Sequence, residues 1–229
     1  MSEQIPRIVL LALGWTVLLE GLTAWLRFGR RLSMRSRARR FGALTAGIRI
    51  HHAFPAMLAL AAVPVISPST GVFVHLSAFL FGAILSDLVH HVFVLRWSTG
   101  DHEFHLLAEG RSPTDLRAEL AAFSASGALA YGLFWGALIE ALTVYLRFGL
   151  QLQSQRETAF LASFTCGLRV HHGYLGLMMI LCSILLSSTA SWKSNALAIV
   201  GWALLSSDLV HHFVVLQMLT GDPQFHLTY

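Results

Sequence analysis

The chain has 229 residues, 55% of them hydrophobic and only 12% charged, with a mean hydropathy of +0.62. Ordinary soluble domains carry roughly a quarter charged residues, so this composition excludes a soluble globular domain and makes the bilayer the expected solvent. The net charge of +4 does not point to nucleic acid, because the arginines bunch between Arg27 and Arg40 beside apolar segments, where the positive-inside rule accounts for them.

Six segments are long enough to cross a bilayer as helix, near 8–27, 42–66, 72–96, 121–147, 160–187 and 195–218. The first lacks a basic n-region and a small-residue cleavage site, and it reads as a membrane span rather than a signal peptide. Gly29–Arg40 is a polybasic stretch expected along the headgroups. Ser67–Gly71 is a short turn. Trp97–Arg117 is the longest polar connection and joins the two halves. Cys166 and Cys182 lie in apolar segments and read as small core residues.

The halves repeat each other. Trp15 matches Trp135, Glu20 matches Glu140, and Leu26-Arg27-Phe28-Gly29 matches Leu146-Arg147-Phe148-Gly149. Arg49-Ile50-His51-His52 matches Arg169-Val170-His171-His172, all at an offset of 120. After one inserted residue, Ser86-Asp87-Leu88-Val89-His90-His91 matches Ser207-Asp208-Leu209-Val210-His211-His212. Thr99-Gly100-Asp101 and Phe104-His105-Leu106 then match Thr220-Gly221-Asp222 and Phe225-His226-Leu227. The expected fold is an all-α integral membrane protein of six transmembrane helices, built from three-helix repeats at 1–110 and 118–229. Three spans per repeat is an odd number, so the second copy is expected to enter the membrane inverted.

With the N-terminus outside, the inner connections carry Arg27, Arg30, Arg31, Arg35, Arg37, Arg39, Arg40, Arg96, Arg111, Arg117 and Lys193. The outer ones carry Arg7, Arg147 and Arg156. That bias puts the 27–40 linker in the cytoplasm, in what is expected to be a bacterial inner membrane.

Ionisable groups inside apolar spans are costly and usually functional. The first repeat offers Glu20, His51, His52, Asp87, His90, His91, Asp101 and His105 as metal ligands, and the second offers Glu140, His171, His172, Asp208, His211, His212, Asp222 and His226. His75 and His102 face Ala196 and Pro223 at the equivalent places and are set aside. Asp101-x-x-x-His105 also fits an interfacial turn with a capping acid, and Glu20 and Glu140 also fit as ion-pair partners of Arg27 and Arg147 or of Arg49 and Arg169. Arg49 and Arg169 read as carboxylate partners or as anchors for the anionic group of a substrate or cofactor. The Leu-Arg-Phe-Gly motifs read as a snorkelling arginine and a helix-closing glycine, and Gly47 and Gly167 as sites of close helix packing.

Imidazole with carboxylate and no thiolate favours iron, zinc or manganese, and eight ligands per repeat suit a dinuclear centre. Asp-x-x-His-His is similar to the His-x-x-His-His boxes of membrane desaturases and hydroxylases, with Asp in the first place. The resemblance covers five residues, and the duplicated layout differs from that family's.

The leading expectation is a membrane metalloprotein with non-haem iron or zinc. It would be an oxidoreductase or hydrolase acting on a lipid or other apolar substrate, with an electron donor if it is an oxidoreductase. The alternatives are a diheme b-type electron carrier, with His52–His91 and His172–His212 as axial pairs, and a divalent metal transporter. No P-loop, dinucleotide fingerprint or nucleophile triad assigns catalytic residues.

Overall fold

Long apolar runs form helices because a helix satisfies its own backbone hydrogen bonds where water is absent. The computed structural model describes residues 4–31, 42, 44–45, 47–66, 70–109, 114–152, 159–187 and 191–228. Among these residues the fold is all-helical, and its extended pairings are isolated bridges. The chain divides into two units, Met1–Ala122 and Phe123–Tyr229.

In the first unit, α1 (Gln4–Ala24) continues as a π-helical turn over Trp25–Gly29. It is followed by α2 (Ala53–Ile66) and α3 (Thr70–Val89). A π-helical turn over His90–Leu95 carries α3 into α4 (Arg96–Thr99), and α5 (Leu116–Ala121) closes the unit. In the second unit, α6 (Ala125–Val144) runs into a π turn over Tyr145–Gly149. A 3₁₀ turn at Ala159–Ser163 precedes α7 (His172–Leu186) and α8 (Ser191–Val210). A π turn over His211–Leu216 then leads into α9 (Gln217–Thr220). In each unit the last long helix is central: α3 packs on α1 and α2, and α8 packs on α6 and α7.

These helices approach closely through small residues. A Cβ at Gly82 on α3 would collide with Trp15 and crowd Ala12 on α1, and one at Gly132 on α6 would collide with Trp202 on α8. Gly176 and Gly201 bring α7 against α8 in the same way.

Four composite helices are long and apolar enough to cross a membrane: Gln4–Gly29, Gly71–Thr99, Ala125–Gly149 and Ser191–Thr220. They leave large apolar side chains uncovered, with Leu10 71% and Val17 73% exposed. The expected spans at 42–66 and 160–187 differ. Their helices, α2 and α7, have 14 and 15 residues and begin only at Ala53 and His172. The cause is a turn at Gly47 and at Gly167, where φ is +81° and +78°. That left-handed conformation suits glycine and breaks a helix. Neither glycine has a neighbour within 4 Å of a would-be Cβ, so both make turns and not the expected close packing.

Other expectations change as well. Cys166 and Cys182 are exposed rather than in a core. Within the first unit, the Glu119 carboxylate on α5 accepts from His105 and the Leu106 amide. Residues 32–40 of the basic linker, 67–69 of the turn, Arg111 and Arg156 lie outside the described residues.

Candidate metal centre

The polypeptide after α4 positions the site. Gly100 closes α4 with φ +76°, and residues 101–107 turn back as a strap. Leu107 bridges Ile48, and Leu106 accepts from the Arg49 amide. The strap is thus hydrogen-bonded to the segment leading into His51. The second unit repeats this after Gly221, with Leu168 bridging Thr228 and the Arg169 amide bonded to Leu227.

The strap supplies two backbone carbonyls. His91 donates Nδ1–H to the His102 carbonyl at 2.7 Å, and His51 donates Nε2–H to the His105 carbonyl at 3.2 Å. Each bond fixes a tautomer and leaves the other ring nitrogen with a lone pair. Those lone pairs converge on Asp87, His51 Nδ1 at 3.6 Å and His91 Nε2 at 4.0 Å. The second unit matches: His212 donates to the Pro223 carbonyl at 2.7 Å, and His171 to the His226 carbonyl at 3.1 Å. Asp208 then meets His171 Nδ1 at 3.7 Å and His212 Nε2 at 3.9 Å. Phe104 and Phe225 stack on His51 and His171, with ring centroids 4.6 Å and 4.3 Å apart.

His51, Asp87 and His91 are all buried, as are His171, Asp208 and His212, and within each group the ligand atoms lie within 4.8 Å of one another. His52 Nδ1 approaches Asp87 Oδ1 at 2.8 Å and His172 Nδ1 approaches Asp208 Oδ1 at 3.2 Å. Both imidazoles are within hydrogen-bonding distance, and no other donor reaches either buried oxygen among the described residues. A buried carboxylate oxygen ringed by lone pairs is strongly unfavourable unless a cation lies among them. Tetrahedral ligands about 2.1 Å from an ion stand about 3.4 Å apart, a few tenths of an ångström inside the carboxylate–imidazole distances of 3.6–4.0 Å. The two groups can each hold a divalent metal ion.

The other expected ligands stand elsewhere. Asp87 near the end of α3 and His91 in the π turn that continues it are four apart and share a face, whereas His90 turns to α1 and bonds Glu20 at 2.8 Å. His211 bonds Glu140 at 2.9 Å, and Ser207 donates to the same carboxylate. Glu20 and Glu140 therefore partner histidines and not the arginines. Arg27 instead bonds Glu103 at 2.6 Å and Arg147 bonds Gln224 at 2.6 Å, so neither arginine simply snorkels. Asp101 is a loop acid: its Oδ1 accepts from the amides of Glu103 and Thr114, and Asp222 accepts from the Gln224 amide. His105 contributes its carbonyl to His51 while its ring bonds Glu119 at 2.7 Å, and His226 contributes a carbonyl while its side chain is exposed. The Arg49 and Arg169 amides anchor the strap, and the Arg169 guanidinium reaches the Gln224 carbonyl.

Sequence reasoning set His102 aside for lacking a histidine counterpart, yet its carbonyl orients His91. The evenly repeated spacing from the Asp-x-x-His-His motif to Phe-His-Leu was the available signal. Glu119, Glu103 and Gln224 carried none. No protein-family model, curated protein or solved structure matches the chain.

Proposed function

We propose that the protein is a membrane metalloenzyme with one non-haem divalent ion in each unit. The ion would be held by His51, Asp87 and His91 in the first unit and by His171, Asp208 and His212 in the second. The observation that carries this reading is the buried carboxylate of Asp87 and of Asp208, each facing two imidazole lone pairs whose opposite N–H groups are spent on carbonyls. Three ligands suit one ion, so the expected dinuclear centre becomes a single ion per unit.

Two histidines and one carboxylate form the donor set of non-haem iron oxygenases when positions are left open. The favoured activity is an iron-dependent oxidoreductase acting on a lipid or other apolar substrate, drawing electrons from a separate donor. Bound iron would supply one-electron and oxygen chemistry. The chain's own residues would hold the ion and fix the imidazole tautomers, with Phe104 and Phe225 stacked on His51 and His171. A zinc hydrolase is the second reading, because three protein ligands leave a fourth tetrahedral position for water. Haem fits less well, because a carboxylate occupies the space between the imidazoles where a porphyrin would lie.

The same proposal takes the two units as inverted repeats, α2 and α7 completing three membrane segments in each, with the N-terminus outside. The odd segment number and the arginine bias support it. The test is elemental analysis and an absorption spectrum on purified protein. Two iron or zinc atoms per chain without a Soret band are expected, falling in Asp87→Asn and Asp208→Asn. A Soret band, or no stoichiometric metal, would overturn the reading.

A further inference from the structure

The two units differ at one place in the strap. At its tip, Glu103 and Gln224 occupy matching positions, and both adopt a left-handed backbone with φ of +46° and +50°. Both receive the arginine from the end of the first long helix, Arg27 or Arg147, at 2.6 Å. In the first unit the acceptor is a carboxylate, and the guanidinium is neutralised within the fold. In the second it is a neutral amide oxygen.

The second unit compounds the imbalance. Arg169 is 9% exposed, and its Nη1 lies 3.4 Å from the Gln224 backbone carbonyl. It is close enough to Arg147 for the two guanidinium charges to repel. Asp222, two residues away, spends its Oδ1 on the Gln224 amide. Among the described residues no carboxylate lies within 4.0 Å of either guanidinium, although Arg27 has one in the first unit. Arginine does not shed its proton, so burial cannot neutralise it. A buried cation facing only neutral acceptors is costly unless an anion completes it.

We infer that Arg147, Arg169 and Gln224 form a binding site for an oxyanion, a phosphate or carboxylate group, in the second unit only. In the first unit the Glu103 carboxylate already fills the equivalent place. Two guanidinium groups match a tetrahedral or planar oxyanion through paired N–H donors, and the Gln224 amide nitrogen adds a neutral donor. Arg147 stands two residues from the end of the span Ala125–Gly149, the level at which a lipid phosphate or an amphiphile's headgroup lies. The strap that holds Gln224 also supplies the carbonyls of Pro223 and His226 to the candidate metal ligands. An anion here would anchor the polar end of an amphiphile beside that centre. The site follows from the arginines alone and stands whether or not metal binds.

The experiment exchanges the two tip residues in the full-length protein. Gln224→Glu installs an internal anion that the first unit already tolerates, and Glu103→Gln removes it there. Wild type and both variants are reconstituted in phosphatidylcholine nanodiscs. One arm adds phosphatidic acid and reads lipid retention by native mass spectrometry. The other titrates inorganic phosphate calorimetrically into discs without it. Wild type is expected to bind in the lipid arm or in both, Gln224→Glu to bind about tenfold more weakly, and Glu103→Gln to bind more than wild type. Binding confined to the lipid arm identifies a headgroup, and binding in both identifies the oxyanion itself. No binding in either arm, or binding unchanged by Gln224→Glu, overturns the inference. Metal content measured on the same samples keeps this result separate from the metal reading.

Discussion

His91 Nδ1 and the carbonyl oxygen of His102 stand 2.7 Å apart, and that bond turns His91 Nε2 toward the carboxylate of Asp87. The residue at 102 acts here through its backbone. His102→Ala is therefore expected to keep metal content within about twofold of wild type, at a cost of about 0.5–1.5 kcal/mol for the lost bond from the Phe104 amide to the His102 ring. His91→Ala is expected to empty the first centre. Elemental analysis of the two variants side by side checks this.

Asp87→Asn and Asp208→Asn each remove one charge without changing shape. Each is expected to lower the bound metal from two atoms per chain to one, and the double variant to none. With metal removed by chelator, Asp87→Asn loses only the contact of its carboxylate with His52 at 2.8 Å, so its stability deficit against wild type is expected to be smaller than with metal present. Thermal unfolding with and without chelator checks this.

Glu119 lies outside the long helices and titrates in reach of ordinary buffers. Burial pushes its carboxyl upward, but the bonds from His105 and the Leu106 amide outweigh this and hold it below the usual glutamate value. A depressed carboxyl contributes stability that is present above the unfolded value, about pH 4.3, and is lost as pH falls through the folded one. Wild type should exceed Glu119→Gln in stability at neutral pH, with the gap closing below about pH 4. A gap that widens under acid would contradict this account.

Helix approach makes a further prediction. A methyl at Gly82 has no room against Trp15, so Gly82→Ala is expected to cost about 1–3 kcal/mol and to loosen the Glu20–His90 pair that spans α1 and α3. Gly14, on the same helix as Trp15, has nothing within 4 Å. Gly14→Ala should be neutral or stabilising by up to about 1 kcal/mol. Unfolding midpoints in one detergent compare them directly.

The ligand positions were legible because polar residues recur at fixed offsets inside apolar helices, where little else explains them. His51, Asp87 and His91 stood out for that reason, and their repeats with them. Repetition marks any constrained role, however, so Asp101 and His105 looked like ligands although one caps a loop and the other offers a carbonyl. Backbone acceptors have no residue signature, which hid the part played by residues 102 and 223. Hydropathy registers an apolar run but not a change of φ, so the segments at 42–66 and 160–187 read as longer helices than those that form. A lone glycine likewise reads equally as a packing or a turning residue, and Gly47 proved to be the second.

The strap sets an unusual rule for how this protein tolerates change. His91 and its acceptor are 11 residues apart, and so are His212 and its acceptor, although one acceptor residue is histidine and the other proline. The length of chain between ligand and carbonyl is kept while the side chain is free to vary. Away from Gly100 and Gly221, whose left-handed turns start the strap, substitutions along that stretch should often pass silently, whereas inserting or deleting a single residue would present the wrong carbonyl and turn the imidazole away. The orientation of these imidazoles is written in distance along the chain, and a frame of spacing guards it more closely than the identity of the acceptor residue does.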